Sequence, residues 1–530
     1  MLKISELPLG FTDAENYKRR ENKDLFNHVF IKTDALEKIC NPGTSFLIGE
    51  KGTGKTAYSV YMSNTHHANN TSSIRYIRET EYQKFVTLKN EKHLDLSDYA
   101  NIWKVIIYLL ISQQIIERDN CNFITKRFPK FKALNDAVQE YYLHAFTPEI
   151  IHALQFVQES KIAAELLSKY AKIMGEEKES LTFSESRFQT NLYYIQKNFE
   201  NALRSLKLDS NQLLFVDGID IRPSSINYDD YLDCIKGLAN AVWEVNNDYF
   251  PTIRDSPGRM RVVLLIRPDI FESLNLQNQN TKIRDNSVLL DWRTDYKHHR
   301  TSYLFKLIDL LLANEQSEKL DVGKTWDYYF PFDTPNINEK FDHPSSFLSF
   351  LRFAFYRPRD IIAMLRILKE NHVEKNPNSG GVFSIEDFSD SSFRAKYANY
   401  LLGEIKDQLS FYYTKSDYEL FLKFFEFLHG KTRFDYDYFL SSFNEYIQYL
   451  GSTNKKAPKF ASSANVFLQF LYDLNILCYK DRAEDESTFI HWCFKDRNYS
   501  NISPKIKTGK DYEIFYGMTK ALNVGKTFKN

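Results

Sequence analysis

This chain has few of the residues that cross-link a fold and no excess of either sign of charge. Its five cysteines (Cys40, Cys121, Cys234, Cys478 and Cys493) are scattered through 530 residues. None forms a C-x-x-C pair, which argues against a zinc knuckle or a disulfide framework and suits a reducing compartment. The twelve histidines form no metal-spaced cluster: His66-His67 and His298-His299 are adjacent pairs, and adjacent residues do not share a helix face. Lys+Arg and Asp+Glu balance at 69 each, so no global field draws the chain to nucleic acid, and only local patches remain for that role. The longest apolar stretch, Val105 to Ile111, is far short of a membrane span. The start, Met1-Leu2-Lys3-Ile4-Ser5-Glu6, lacks the apolar core of a signal peptide. A soluble, cytoplasmic protein with no membrane partner is expected. No internal repeat is evident.

What is present is concentrated in one octapeptide. Gly49-Glu50-Lys51-Gly52-Thr53-Gly54-Lys55-Thr56 fits G-x-x-x-x-G-K-[ST]. The apolar run Ser45 to Ile48 before it can be a buried parallel strand, and Ala57 to Met62 after it can open a helix. In that context the glycines let successive backbone amides turn around an anion, and the helix N-terminus adds partial positive charge. Residues Gly49 to Ala57 are therefore the candidate ATP contacts. Lys55 would reach the β- and γ-phosphates and the Thr56 hydroxyl would hold Mg²⁺. The competing reading is a glycine-rich turn before a helix.

A chain of this length predicts several domains. Aromatic residues reach 15%, with 42 Phe and 34 Tyr, which predicts aromatic-filled helical cores. Ile74 to Ile77, Leu213 to Asp217, Val262 to Ile266 and Val288 to Leu290 read as further parallel strands, since runs without alternation suit a sheet covered on both faces. The fold class expected is an α/β P-loop nucleotidase core with a long helical insertion, a helical lid and a C-terminal winged-helix-like domain. The expected boundaries are 1–78 for the N-terminal segment and loop, 79–210 for the insertion, 211–300 for the rest of the core, 301–400 for the lid, and 401–530 for the last domain and tail. Within the insertion, Leu94 to Gln114 and Glu149 to Met174 carry apolar residues at helical spacing; the segment is either added machinery or a scaffold over the sheet. Asn376 to Gly381 reads as a loop, and Gly451 to Ala461 as a polar connection.

The second half of the site follows from strand ends, where ligands bind in open α/β sheets. Leu213 to Asp217 delivers a carboxylate that would orient Mg²⁺. Asp220 would act as general base, or else cap a helix. Arg267 would sense the γ-phosphate, or else pair with a nearby carboxylate. Arg284 would be an arginine finger reaching a neighbouring subunit, or else pair with Asp285 or another acid. Tyr356-Arg357-Pro358-Arg359-Asp360 opens a helix whose Pro358 would cover the adenine, with Arg359 or Arg357 toward the phosphates; a surface basic cluster is the alternative.

Toward the C-terminus, Asp417 to His429, Phe434 to Leu450 and Ala464 to Asn475 read as amphipathic helices. Ile476 to Tyr479 and Thr488 to Trp492 alternate like a hairpin across Asp481 to Ser487. Three helices and a hairpin make a winged-helix pattern. Its third helix has no Lys or Arg and one acid, Asp473, whereas a DNA reader needs a basic exposed face there. Lys455, Lys456 and Lys459 are left as phosphate contacts, and a protein-contact role is favoured over nucleic acid. His491 and Trp492 either act in an interdomain switch or pack the wing.

The segments Phe46 to Thr56, Leu213 to Asp220, Val262 to Pro268 and Arg357 to Asp360 together resemble the AAA+/STAND branch of P-loop ATPases. Asp217-Gly218-Ile219-Asp220 is similar to the D-G-h-D of NACHT-type members, Arg267-Pro268 looks like their sensor-1 arginine, and Pro358 resembles their adenine-packing lid proline. Ile221 departs from the Glu that many of them carry. Gly49 to Ala57, Asp291-Trp292-Arg293-Thr294 and His491-Trp492 further resemble the bacterial FunZ-like P-loop ATPases. The FunZ-like resemblance implies a bacterial ATPase, and the STAND resemblance a nucleotide-gated switch, a class that includes proteins of defence against phage; a protein partner or self-oligomer is expected. The alternatives are a DNA-binding ATPase of initiator or repair type and a nucleotide-stabilised scaffold without significant turnover.

Overall fold

Short, continuous apolar runs build the sheet of an α/β protein. The structure, a computed structural model, describes residues 1–77, 96–119, 193, 196–197, 199–222, 226–318, 320–337, 339–375, 381–484 and 488–525. The chain divides into two compact units: Asp34–Ile48 with Lys55–Val288, and Met1–Thr33 with Gly49–Gly54 and Leu289–Asn530.

The first unit is organised by a five-stranded sheet of β1 (Phe46–Ile48), β2 (Asn70–Tyr76), β3 (Asn211–Asp217), β4 (Met260–Ile266) and β5 (Ser287–Leu289), in the order β2-β3-β4-β1-β5. The β2–β3, β3–β4 and β4–β1 pairs are parallel. Every residue of β1 and β4 is buried, as strands covered on both faces require. Ile48 lies opposite Ile266, and Tyr76 opposite Asp217, so these strands end along one edge. β2 begins four residues earlier than the apolar run suggests, because its polar stretch Asn70 to Ser73 still pairs with β3.

The expected helix in the insertion is present as Leu96–Asp119, while the expected helix Glu149 to Met174 lies outside the described residues. Leu96–Asp119 packs against Tyr228–Glu244, whose first turn is capped by the Asn227 side chain accepting from the Asp229 amide at 3.0 Å. The crossing is close: a Cβ added to Gly237 would meet the Tyr99 Cβ at 2.5 Å. The Trp103 indole donates to the Cys234 carbonyl at 3.1 Å. Farther along, the Gln114 amide donates to the Thr71 carbonyl and to Gln212 Oε1, each at 2.9 Å, which ties the helix to β2 and β3.

The second unit is filled by aromatic rings on helices. Trp326 stacks on Phe330 at 4.2 Å and takes Phe347 and Phe350 edge-on at 5.0 Å each. Farther along the chain, Phe467 meets Phe424 edge-on at 4.5 Å and stacks near Phe460 at 5.5 Å. The N-terminal Ile4 and Leu7 are buried in the same cluster. The three C-terminal helices are Lys415–Phe424, Tyr436–Ser452 and Ala464–Asp473. An antiparallel sheet of order β6-β9-β7-β8 goes with them: β6 (Arg433–Phe434) lies between the first and second helices, and β7 (Leu477–Arg482), β8 (Thr488–His491) and β9 (Asp511–Ile514) follow the third. The expected hairpin is β7–β8, but β7 runs on through Arg482, which pairs with Thr488, so Asp481 and Arg482 are strand and not turn. The expected alternation fails in β8, where Phe489 and Ile490 are both exposed. Among the described residues, no helix is long and apolar enough to cross a membrane.

Replacing Gly237 with alanine tests the helix crossing. In an exposed helix the change gains about 1 kcal/mol. Here overpacking against Tyr99 is expected to destabilise by about 1–3 kcal/mol, read as a lower urea midpoint. An unchanged or raised midpoint would remove the close contact.

Candidate functional site

In the sheet-bearing unit, β3 carries Asp217 to its end, where it is buried at 7% exposure. Its Oδ2 accepts from the Thr56 hydroxyl at 2.6 Å and its Oδ1 from the Gly218 amide at 2.8 Å. Gly218 has φ +87°, and an added Cβ would sit 3.0 Å from the Ile77 carbonyl, so a side chain does not fit at this bend. Burial raises the Asp217 pKa and the nearby Asp220 raises it further; the Thr56 bond, the Lys55 charge and the Gly218 amide oppose them. Lys55, Thr56 and Ala57 form the first turn of the Lys55–Asn64 helix, which has no acid there to cancel its dipole. Lys55 itself is buried at 8% exposure. A desolvated carboxylate answered by a hydroxyl and an ammonium is a seat suited to a cation beside an anion.

Asp220 lies half-buried in the turn after Asp217, and the next helix takes its cap from Asn227, so the capping alternative for Asp220 is not the one realised. Arg267 is 2% exposed and grips Asp269 with two donors, Nε to Oδ1 at 3.0 Å and Nη2 to Oδ2 at 2.6 Å. The carboxylate-pair alternative is thus formed. Arg284 is exposed in the last turn of Gln279–Asn286, and among the described residues no ion pair, with Asp285 or another acid, engages it.

In the other unit the loop Gly49–Gly54 has its carbonyls taken one after another. Glu50 O accepts from the Thr53 amide and hydroxyl, at 3.2 and 2.8 Å. Lys51 O accepts from Arg357 Nη1 at 2.8 Å, Gly52 O from the Arg359 amide at 3.4 Å, and Thr53 O from the Trp292 indole at 2.8 Å. The amides of Lys51, Gly52 and Gly54 meet no acceptor among the described residues. Gly52 and Gly54 have φ +87° and +95°. At Gly52 a Cβ would also press on the Arg359 Cβ at 3.1 Å. The loop's charged side chains are paired: Glu50 with Arg497, and Lys51 with Asp407 at 2.6 Å and Glu404 at 3.5 Å.

Pro358 and Arg359 start the Pro358–Lys375 helix. Arg357 just before it is not a surface residue: at 6% exposure it forks onto Asp360 at 2.9 and 2.8 Å. Burial works against its charge, but Asp360 overrides this and raises its pKa. Tyr356 takes a left-handed φ of +53°, a strain of about 1–2 kcal/mol held by packing on Phe494 and by Lys495 Nζ, 4.8 Å from its ring. Arg359 spends its Nε on the Thr12 carbonyl at 3.1 Å and its Nη1 on Glu404 at 3.4 Å. Near the C-terminus, His491 stacks on Tyr479 at 4.6 Å and Trp492 takes Phe515 edge-on at 5.3 Å, the packing alternative for both.

Sequence reasoning did not assign Arg497, Glu404 or Asp407 to the loop. Their signals are single charged residues hundreds of positions away. Trp292 lies in Asp291-Trp292-Arg293-Thr294, a motif whose resemblance assigns it no role.

The raised pKa of Asp217 gives a signed test. The folded state holds this proton more tightly than the unfolded chain, so stability falls as pH rises through the folded pKa. Asp217→Asn is therefore expected to melt above wild type at about pH 7 without nucleotide, and to lose that advantage below about pH 4. A lower melting temperature at neutral pH would contradict this.

Compared with known proteins, the chain matches no family model, no curated protein and no solved structure.

Proposed function

We propose that the chain is an ATP-binding and ATP-hydrolysing switch of the AAA+/STAND kind, with Gly49–Thr56 as its phosphate loop. The observation that carries this reading is the 2.6 Å hydrogen bond between Thr56 and Asp217 beside buried Lys55. A hydroxyl and a carboxylate held together in this way suit a divalent ion. Thr56 and Asp217 would hold Mg²⁺, which when bound draws charge from the β- and γ-phosphates. Lys55 supplies fixed positive charge toward the phosphates. The amides of Lys51, Gly52 and Gly54 supply donors to an anion without moving a charge. Asp220, in the turn beyond Asp217, orients the attacking water or takes its proton.

Coupling rests on where the loop's carbonyls are spent. Arg357, Arg359 and Trp292 hold them, and Arg497 holds Glu50, so a change in the loop is felt in the Pro358–Lys375 helix and in the C-terminal residues. That is the route by which nucleotide state would select between conformations. Pro358 would pack on the adenine, and Arg284, exposed and without an ion pair among the described residues, would serve as a finger in a self-oligomer. The C-terminal helices and β-sheet would form a winged-helix-like module that contacts a protein partner, since Ala464–Asp473 carries no base and exposes Val466. Phage defence is the setting that the family resemblance implies.

A second reading, nucleotide binding without appreciable turnover, is favoured by Arg267, whose donors go to Asp269. Sensing a γ-phosphate would require it to exchange that partner.

Lys55→Ala is expected to weaken ATP binding by at least about a hundredfold, ~2.7 kcal/mol, in equilibrium titration. Asp217→Ala is expected to lower Mg²⁺-dependent phosphate release on the order of a hundredfold. Unchanged binding and turnover in both would overturn the assignment. Normal occupancy with no phosphate release in the wild type would select the second reading.

A further inference from the structure

The beginnings of the strands, at the end of the sheet opposite Asp217, border a cavity of about 260 Å³. Its lining contains Arg254, Arg259 and Arg261 and no aspartate or glutamate. Arg261 is a β4 residue, paired in register with Leu213, and is 7% exposed. Its Nη1 donates to the Asn41 carbonyl, and no carboxylate pairs with it among the described residues. Burial pushes its pKa down to about 10, with the Cys40 thiol the group that opposes this. A desolvated cation without a counter-charge is expensive, and folds that keep one commonly supply an anion.

Two of the cavity's neutral polar side chains, Asn246 and Gln212, are engaged with the protein. The Asn246 side chain donates to the Val262 carbonyl at 2.7 Å and accepts from its amide at 3.0 Å, and Gln212 Oε1 accepts from Gln114 at 2.9 Å. The charged groups that the lining offers a ligand are guanidinium donors. Arg254 and Arg259 are exposed, while Phe250, Pro251 and Met260 add apolar wall. The rim is fixed: Ser256 Oγ bridges the Leu208 amide and the Gly258 carbonyl at 2.9 and 2.7 Å, and a Cβ at Gly258 would fall 2.2 Å from the Ser210 carbonyl.

We propose that this cavity binds a small organic anion, a phosphate or carboxylate group on an apolar body, with Arg261 seating the anionic group. A guanidinium presents paired donors that match either oxyanion, and the surrounding Phe and Pro surface rewards an attached apolar group. The volume limits the ligand to a small molecule. The site is separate from the loop Gly49–Thr56 and does not depend on the ATPase reading.

Cys40 lines the cavity and is half-buried, so it reports occupancy. The experiment uses the full chain carrying Lys55→Ala, so that phosphate probes do not act through the loop. Alkylation of Cys40 by iodoacetamide is followed by peptide mass spectrometry, with phenyl phosphate, benzoate or neutral benzamide present. At tenfold excess over Kd the bound fraction is expected to slow alkylation about tenfold. Protection by phenyl phosphate alone assigns a phosphate ligand, by benzoate alone a carboxylate, and by both either oxyanion. Arg261→Met is expected to abolish protection while the ligand-free melting temperature holds or rises, because an unpaired buried charge is gone; a fall in melting temperature would mark Arg261 as structural and count against the proposal. Should Arg261→Met not fold, the exposed pair Arg254→Gln with Arg259→Gln decides, with weaker protection expected. The proposal is overturned if neither anion protects, if benzamide protects equally, or if protection survives unchanged in these variants.

Discussion

A tight turn leaves its carbonyls without the ladder partners of a helix or strand, and every carbonyl taken from water needs a donor. That constraint organises the region around Gly49–Gly54. Successive carbonyls at Lys51, Gly52 and Thr53 are received by Arg357, Arg359 and Trp292. The donors come from residues 289–530, and the loop accordingly belongs to that compact unit and not to the one holding the strand that precedes it. The buried fork of Arg357 on Asp360 then becomes intelligible. It leaves one terminal nitrogen for the loop and fixes its direction with the other two.

The sheet was legible where its strands run apolar and unbroken. β1, β3 and β4 were readable from Phe46, Leu213 and Val262, since burial on both faces leaves no polar alternation to misread, while β2 and β5 show through Ile74 and Val288. Errors arose where burial is one-sided. β2 extends back through Thr71, Ser72 and Ser73, whose polarity reads as loop, and β8 exposes Phe489 and Ile490, whose hydrophobicity reads as core. β6 and β9 are short, and their pairing joins Arg433 to Glu513 across eighty positions, a separation that no local pattern encodes.

For the candidate site, the local motif was readable and its supports were not. Gly52, Gly54, Lys55 and Thr56 declare themselves by spacing, and Asp217 by ending a buried run. Whether Arg267 faces a ligand or an acid depends on Asp269 two residues on, and spacing alone left both open; the ion pair is formed. Arg497 follows a short helix with no local pattern to mark it, and only the folded chain brings it to Glu50. Arg261 lies just before the apolar run Val262 to Ile266, and the strand takes it in. Its interest comes from what it lacks, a carboxylate, and a missing partner has no sequence signature.

The pairing of Glu50 with Arg497 and of Lys51 with Asp407 and Glu404 has an electrostatic consequence. The two ionisable side chains between Gly49 and Thr53 are neutralised before any ligand arrives. An anion approaching these residues meets oriented dipoles and little net charge from the turn itself. Dipoles act at short range and are screened less by mobile ions than exposed charges are. Added salt should therefore erode this part of the attraction only weakly, and discrimination among anions would depend on how well their oxygens match the curvature of the main chain.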